Sequence, residues 1–327
     1  MLAMTESGST GERPAVILDC DPGHDDTVAL VVAARHAELV GVTTVSGNAP
    51  LVDVTRNALA VTELFGIDVP VHAGSPRPLV APARHAPAVH GETGLGGTSL
   101  PAPTRTAGAA HAVEFLIEAT RARPGCWLVP IGPLTNIALA LRLDPGLLDR
   151  IAGISLMGGS ATTGNVTPTA EFNVWADPEA AAVVFGAGAT VALRMAGLDV
   201  THQVRMTAED GDRLRATGTP QGAFLADLLA YYGRSGRGGG RAPVGSPMHD
   251  PLAVLAVTHP HLFTHERRPV HVELAGDARG MTVVDTRPHA PADADTCDVA
   301  EAVDAAAVRS LILDTLLEAC TGGASGP

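Results

Sequence analysis

From Pro14 onward, short runs of β-branched and aliphatic residues alternate with longer stretches of helical periodicity, and this alternation narrows the possible folds more than any other feature. Parallel strands need long crossover connections, which helices supply, so strands and helices taken in turn give a mostly parallel sheet covered by helices. AVILDC (15–20) reads as a first buried strand, followed by a helix from about Asp25 to His36. LVGVTTV (39–45) reads as a second strand, LVDVTRNALAVTELFG (51–66) as its amphipathic return helix, and DVPVHAG as a short third strand. CWLVPI (126–131), GISLMGG (153–159) and ATVALRM (189–195) are further strands. PLTNIALALRL (133–143) and DPEAAAVVFGA (177–187) are helices with proline at their starts. RRPVHVEL (267–274), MTVVD (281–285) and CDVAEAVD (297–304) suggest a small antiparallel addition before a last helix over 305–319. The fold class is therefore α/β: one Rossmann-like domain over residues 14–320, a mostly parallel central sheet flanked by helices, between a flexible lead-in (1–13) and a flexible tail (321–327). Two Gly- and Pro-rich stretches, 74–108 and 233–247, read as mobile loops.

Charge and two residue types bound what such a chain does. A net charge of −13 opposes the positive footprint that a nucleic-acid polymer or an anionic membrane requires. All 22 basic residues are arginine, which removes Schiff-base and pyridoxal phosphate catalysis, the Walker A lysine and protein-kinase chemistry. Cys20, Cys126, Cys297 and Cys320 form no CxxC pair, so neither a zinc knuckle nor a disulfide framework is indicated and a cytoplasmic protein is expected. No uncharged apolar run reaches the roughly 18 residues of a membrane span. The start, MLAMTESGSTGERP, lacks the basic-then-apolar pattern of a secretory signal.

The chemistry concentrates in DCDPGHDD, where Asp19, Asp21, Asp25 and Asp26 fall within eight residues and the nearest arginines are Arg13 and Arg35. The segment closes the first strand, where open α/β sheets place their ligand crevice. Asp19 and Asp21 share one side of an extended strand, and the Pro-Gly turn brings Asp25 and Asp26 back towards them. All-oxygen ligation suits Ca²⁺ or Mg²⁺. Helix capping accounts for Asp25 and Asp26 but not for all four acids. His249-Asp250-Pro251 sets an imidazole beside a carboxylate; His249 is suited to protonating a leaving group, while a plain reading has Asp250 capping the next helix. GNVTPTAEFN offers Asn165, Glu171 and Asn173, groups able to hydrogen-bond a polyol, or else an ordinary polar loop.

Taken together, DCDPGHDD, TTVSGN, VHGETG, IGPLTNIALA, LMGG, the GN…AEFN…DPEAA string, GLDVTHQ and HDP resemble the nucleoside hydrolases of the inosine-uridine preferring family, in the family's order from about Pro14 to Ala319. The resemblance implies the nucleoside hydrolase fold, a homodimer or homotetramer, and Ca²⁺-dependent hydrolysis of the N-glycosidic bond of ribonucleosides to ribose and free base. It makes Asp21, Asp26 and Asp250 side-chain ligands of the calcium and Ile131 a ligand through its carbonyl. Asp21 is also implied as the base for the metal-activated water that attacks C1′. Asp25, Asn165, Glu171 and Asn173 are implied to hold the ribose hydroxyls, with Asn48 near them and Met157 lining the pocket. His90, in VHGETG, matches a base-side position, and His249 the leaving-group acid. Asp19 is left to orient its neighbours.

The chain departs from the family before HDP. There, relatives that prefer purines or are broad in specificity carry tyrosines near the base; here the stretch is GRSGRGGGRAPVGSPM, and Tyr231 and Tyr232 lie upstream of it. Arg234, Arg237 and Arg241 are candidates to stack on the base instead, or are solvated loop arginines. His24 stands where the family commonly has an apolar residue and reads as a loop histidine. Two other functions fit parts of the pattern: a calcium-stabilised nucleoside- or ribose-binding protein without turnover, and a haloacid-dehalogenase-like phosphohydrolase. The latter's Asp-x-Asp motif continues Gly-Thr and requires a later lysine, which this chain lacks.

Overall fold

The computed structural model describes residues 13–235, 245–287 and 296–321. Residues 1–12 of the expected lead-in, residues 322–327 of the expected tail, and Arg237 and Arg241 lie outside the described residues. In chain order the first half comprises β1 (Ala15–Cys20), α1 (His24–His36), β2 (Glu38–Thr44), α2 (Leu51–Leu64), β3 (Val71–Ala73), α3 (Pro87–His90), α4 (Ala112–Ala122), β4 (Trp127–Pro130), α5 (Thr135–Leu143) and β5 (Gly153–Met157). There follow α6 (Phe172–Ala176), α7 (Pro178–Phe185), β6 (Leu193–Ala196), α8 (Leu198–Thr201), β7 (Arg205–Met206), α9 (Ala208–Arg215) and α10 (Pro220–Ser235). The last elements are β8 (Ser246–Pro247), α11 (Pro251–Thr258), β9 (Phe263–Val272), β10 (Thr282–Val284), β11 (Thr296–Val303) and α12 (Ala305–Thr321).

Nine strands form one sheet in the order β10-β9-β11-β6-β5-β4-β1-β2-β3. The seven from β11 to β3 run parallel, while β9 pairs antiparallel with both β11 and β10. The antiparallel addition is thus the edge of the main sheet. The chain winds outward from β1 through β2 to β3, then resumes at β4 on the other side of β1. That reversal opens a crevice at the carboxyl ends of β1 and β4, and the acidic motif begins there.

Period-two alternation assigns the sheet's two faces. Val16, Leu18 and Cys20 pack into a core with α1, α11 and α12, whereas Ile17 joins α4, α5 and α7 on the opposite face. Buried on both sides, β1 reads as a continuous apolar run until Asp19, which is wholly buried as well.

Some sequence expectations need correction. The strand expected over 189–195 forms only from Leu193, because the Thr190 and Val191 N–H groups bond back to Ala187 O after α7. The supposed loop 74–108 contains α3 and buries His90 and Leu95. The sequence reading passed over α4, although its buried Val113, Leu116 and Thr120 fall on one helical face. It also passed over α9, whose AEDGDRLR is too polar to show an apolar period. Among the described residues, no helix is long and apolar enough to cross a membrane.

Candidate active site

The turn after β1 folds the acidic motif onto itself. Asp26 Oδ1 accepts the Asp21 N–H at 3.0 Å, and Asp26 Oδ2 accepts the Gly23 N–H at 3.0 Å, so Asp26 closes the start of α1. Capping and clustering are therefore both true of Asp26. Asp250 makes no side-chain cap to α11; its carboxyl instead meets Asp25 and Asp26, with one oxygen from each of the three lying within 4.8 Å of the others. The plain reading of Asp250 as a cap is thereby corrected. Asp21 Oδ2 accepts the Asn48 N–H at 2.6 Å, while Asp21 Oδ1 is buried without a hydrogen-bond partner. Gly47 and Gly132 flank this carboxyl so closely that a Cβ on either would collide with it.

Burial is the largest cause raising the pKa of each of these acids, and neighbouring charges add to it at Asp21, Asp25 and Asp250. Asp25 is pushed up to about 8, Asp21 and Asp250 well above the usual carboxylate range, and Asp26 is raised despite its backbone donors. Four carboxyls with so little water cannot all ionise unless a cation compensates them. An all-oxygen donor set with one unpartnered oxygen fits a hard divalent ion. Asp19 stands apart: Thr43 Oγ1 and Asn136 Nδ2 donate to its Oδ1 at 2.6 and 2.8 Å, and burial pushes it to about 7. Asn136 also donates to Thr44 O and accepts from the Ser75 N–H, so Asp19 joins β1 to β2 and α5.

The other expected residues gather around the cluster. Asn48 Nδ2 donates to Asp21 O and to Asp26 Oδ2. Asn173 Nδ2 donates to Ile131 O at 2.8 Å and to Met157 O at 3.2 Å, which ties the ends of β4 and β5 together. Glu171 accepts the N–H groups of Asn173, Val174 and Gly159 and caps α6; burial raises its pKa. Asn165 is exposed, and its Oδ1 accepts the Phe172 N–H. His249 is held through Nδ1 to Thr201 Oγ1 at 2.7 Å, and burial, then His202 and Arg205, lower it to about 3. The expected site residues, Asp21 and Asp26 excepted, line a cavity of about 450 Å³, within the usual range for small-molecule sites.

Three features were not legible from the motif alone. His24 is the first residue of α1, fully buried, and not a loop histidine. Its Nε2 donates to Gly96 O at 3.0 Å, its Nδ1 lies 3.1 Å from His90 Nδ1, and its ring stacks with Tyr231 and Tyr232. Of the two upstream tyrosines, Tyr232 reaches the site: it lines the cavity and hydrogen-bonds Asp25. Arg234 is exposed, whereas Arg205, which the sequence reading did not single out, lines the cavity. Its only sequence signal was a position three residues beyond the GLDVTH segment.

The parallel sheet with a buried carboxylate cluster at its switch point, beside a nucleoside-sized cavity, defines an α/β enzyme with a candidate site for a divalent ion. The family model described as inosine-uridine preferring nucleoside hydrolase matches residues 16–310, and the chain belongs to that family of N-glycosyl hydrolases. An inosine-uridine preferring nucleoside hydrolase of Leishmania major is 43% identical over 308 residues, 92% of this chain and 96% of the relative. The pyrimidine-specific ribonucleoside hydrolase RihB of Escherichia coli is 41% identical over 286 residues, 84% and 88% of the two chains. A solved purine-preferring ribonucleoside hydrolase from Gardnerella vaginalis superposes with a TM-score of 0.88 at 33% identity, over 94% of this chain and 99% of that one. Family membership displaces the phosphohydrolase alternative.

Proposed function

We propose that this protein hydrolyses the N-glycosidic bond of ribonucleosides with Ca²⁺ bound by Asp21, Asp26, Asp250 and the carbonyl of Ile131. The observation that carries the proposal is Asp21 Oδ1, buried and unpartnered beside the three grouped carboxyls of Asp25, Asp26 and Asp250. A bound divalent ion supplies a lowered water pKa at neutral pH. Asp21 then takes a proton from the water whose oxygen bonds to C1′ as the C1′–N bond breaks. The base keeps the bonding electron pair and takes the Nε2 proton of the His249 imidazolium, whose Nδ1–H donates to Thr201 Oγ1 and which returns to neutral imidazole. Asp25, Glu171, Asn165 and Asn173 hold the ribose hydroxyls, with Asn48 steadying Asp21 and Met157 against the sugar. Their carboxylates favour the positive charge that develops on the sugar in an oxocarbenium-like transition state. His90 and Tyr232 form the base side. Four free, buried cysteines are in keeping with a reducing cytoplasm.

The test is release of ribose and free base from inosine, adenosine, guanosine, uridine and cytidine by wild type and Asp21→Ala, with metal analysis of both proteins. Turnover that falls at least a thousandfold in the variant, with about one Ca²⁺ per wild-type chain, is expected. Binding of nucleosides with no base released by wild type would show a protein that only binds.

A further inference from the structure

Two buried histidines, His24 at the start of α1 and His90 at the end of α3, face each other through their Nδ1 atoms. His24 Nε2 lies 3.0 Å from Gly96 O, and a carbonyl only accepts, so Nε2 carries a proton. The partners of the His24 ring are Gly96 O, His90 and the faces of Tyr231 and Tyr232. None is an anion, so the buried ring is neutral and its Nδ1 is a lone pair. His90 Nδ1 lies 3.1 Å from that lone pair and 3.3 Å from the His24 backbone N–H. The two contacts make opposite demands, since the backbone N–H requires a lone pair on His90 Nδ1 and the His24 ring requires a proton there. Two lone pairs 3.1 Å apart in a dry site repel, so the shorter contact decides and His90 Nδ1–H donates to His24 Nδ1. Gly23 lets the rings come this close, because a Cβ there would collide with His90 Nδ1. A neutral imidazole holds one proton, which leaves His90 Nε2 bare. Among the described residues, every hydrogen bond to the His90 ring is made at Nδ1, and Nε2 is not sealed off without a partner. His90 lines the cavity, so Nε2 is the nitrogen that a ligand meets.

We infer that His24 is a positioning residue that holds His90 in the tautomer with a bare Nε2, and that His90 thereby selects nucleosides whose base presents a hydrogen-bond donor, an amino or ring N–H group. The inference rests on the ribonucleoside hydrolase reading, which puts the ribose among the acids and amides and the base beside His90. A base edge that offers only ring-nitrogen lone pairs sets acceptor against acceptor, and a site built to hydrogen-bond a substrate group strongly rejects the analogue without it. Phenylalanine in place of His24 keeps a ring against Tyr231 and Tyr232 but removes Nδ1. The backbone N–H of residue 24 is then left to donate to His90 Nδ1, and the His90 proton moves to Nε2, which turns the acceptor into a donor.

Adenosine and purine riboside differ by one amino group, as do cytidine and pyrimidin-2-one riboside, and the pair of the base class that the enzyme hydrolyses gives the test. Product inhibition of wild type needs no variant: adenine is expected to inhibit at least tenfold more tightly than purine, or cytosine than pyrimidin-2-one. In His24→Phe that advantage disappears, and the kcat/KM ratio within the pair falls at least tenfold. Long-range proton–nitrogen correlation spectra supply a readout that a merely structural role for His24 would not move. They are expected to show the His90 proton on Nδ1 in wild type and on Nε2 in His24→Phe. An active wild type whose amino-bearing base has no advantage, an advantage that survives His24→Phe, or a His90 proton on Nε2 in wild type overturns the roles of His24 and His90 alone. A wild type that hydrolyses no nucleoside overturns the hydrolase reading on which they rest.

Discussion

At the scale of single residues, the site depends on how little room surrounds Asp21. Its carboxyl sits between Gly47 and Gly132 and takes one hydrogen bond from Asn48. Gly47→Ala is expected to displace the carboxylate without unfolding the protein, lowering kcat/KM on uridine at least a hundredfold, since small misplacements of reacting groups cost factors of this size. Circular dichroism matching wild type, with activity within fivefold, would show that Asp21 has freedom to move. Asp19 gives the contrast, because its Oδ1 is held by Thr43 and Asn136, and none of the three residues lines the cavity. Asp19→Asn is expected to lower kcat/KM by about tenfold or less and to leave metal content unchanged, as befits a positioning residue. Loss of the metal would place Asp19 among the ligands.

Between elements, the decisive contact is the one that α1 makes through His24. The ring lies against Tyr231 and Tyr232 of α10 and beside His90 of α3, so the helix that begins with the acids also anchors the base side. His24→Ala is expected to destabilise the protein by about 2–4 kcal/mol in urea unfolding, the loss typical of a large buried side chain. A change under about 1 kcal/mol would mean that the stack holds nothing together. This junction also marks where sequence reasoning stopped. The strands from β1 to β5 and the helices α1, α2 and α5 were legible because apolar periodicity and the DPG turns record them locally, whereas α3 and α4 were not. The carboxylates were legible because four acids in eight residues have no ordinary structural reason. His24, Tyr232 and Arg205 were not, since each acquires its meaning from a partner at least 40 residues away in sequence, as Gly245 is to Arg205. Asp250 enters the ligand set only through the resemblance; the residues by themselves favour a helix cap.

For the whole molecule, burying so many acids makes stability depend on pH and metal together. Asp19 and Asp25, raised to about 7 and 8, bind protons in the folded state that the unfolded chain releases near pH 4. Between those limits the folded state therefore holds more protons, and unfolding free energy falls as pH rises. Metal-stripped protein is expected to melt at a higher temperature at pH 6.5 than at pH 8.5, with Ca²⁺ flattening the difference; a chelator-treated protein more stable at pH 8.5 would contradict the origin of these shifts. Ion at a hundred times its Kd adds about 2.7 kcal/mol, or several degrees in Tm. The measurement that bears most directly on the central proposal is ribose release from uridine and inosine by chelator-stripped wild type as Ca²⁺ is added back. Activity absent at the start, rising in proportion to added ion and saturating at one per chain, is expected. Full activity in the stripped protein, unchanged by the ion, would contradict a metal-dependent site at the end of β1.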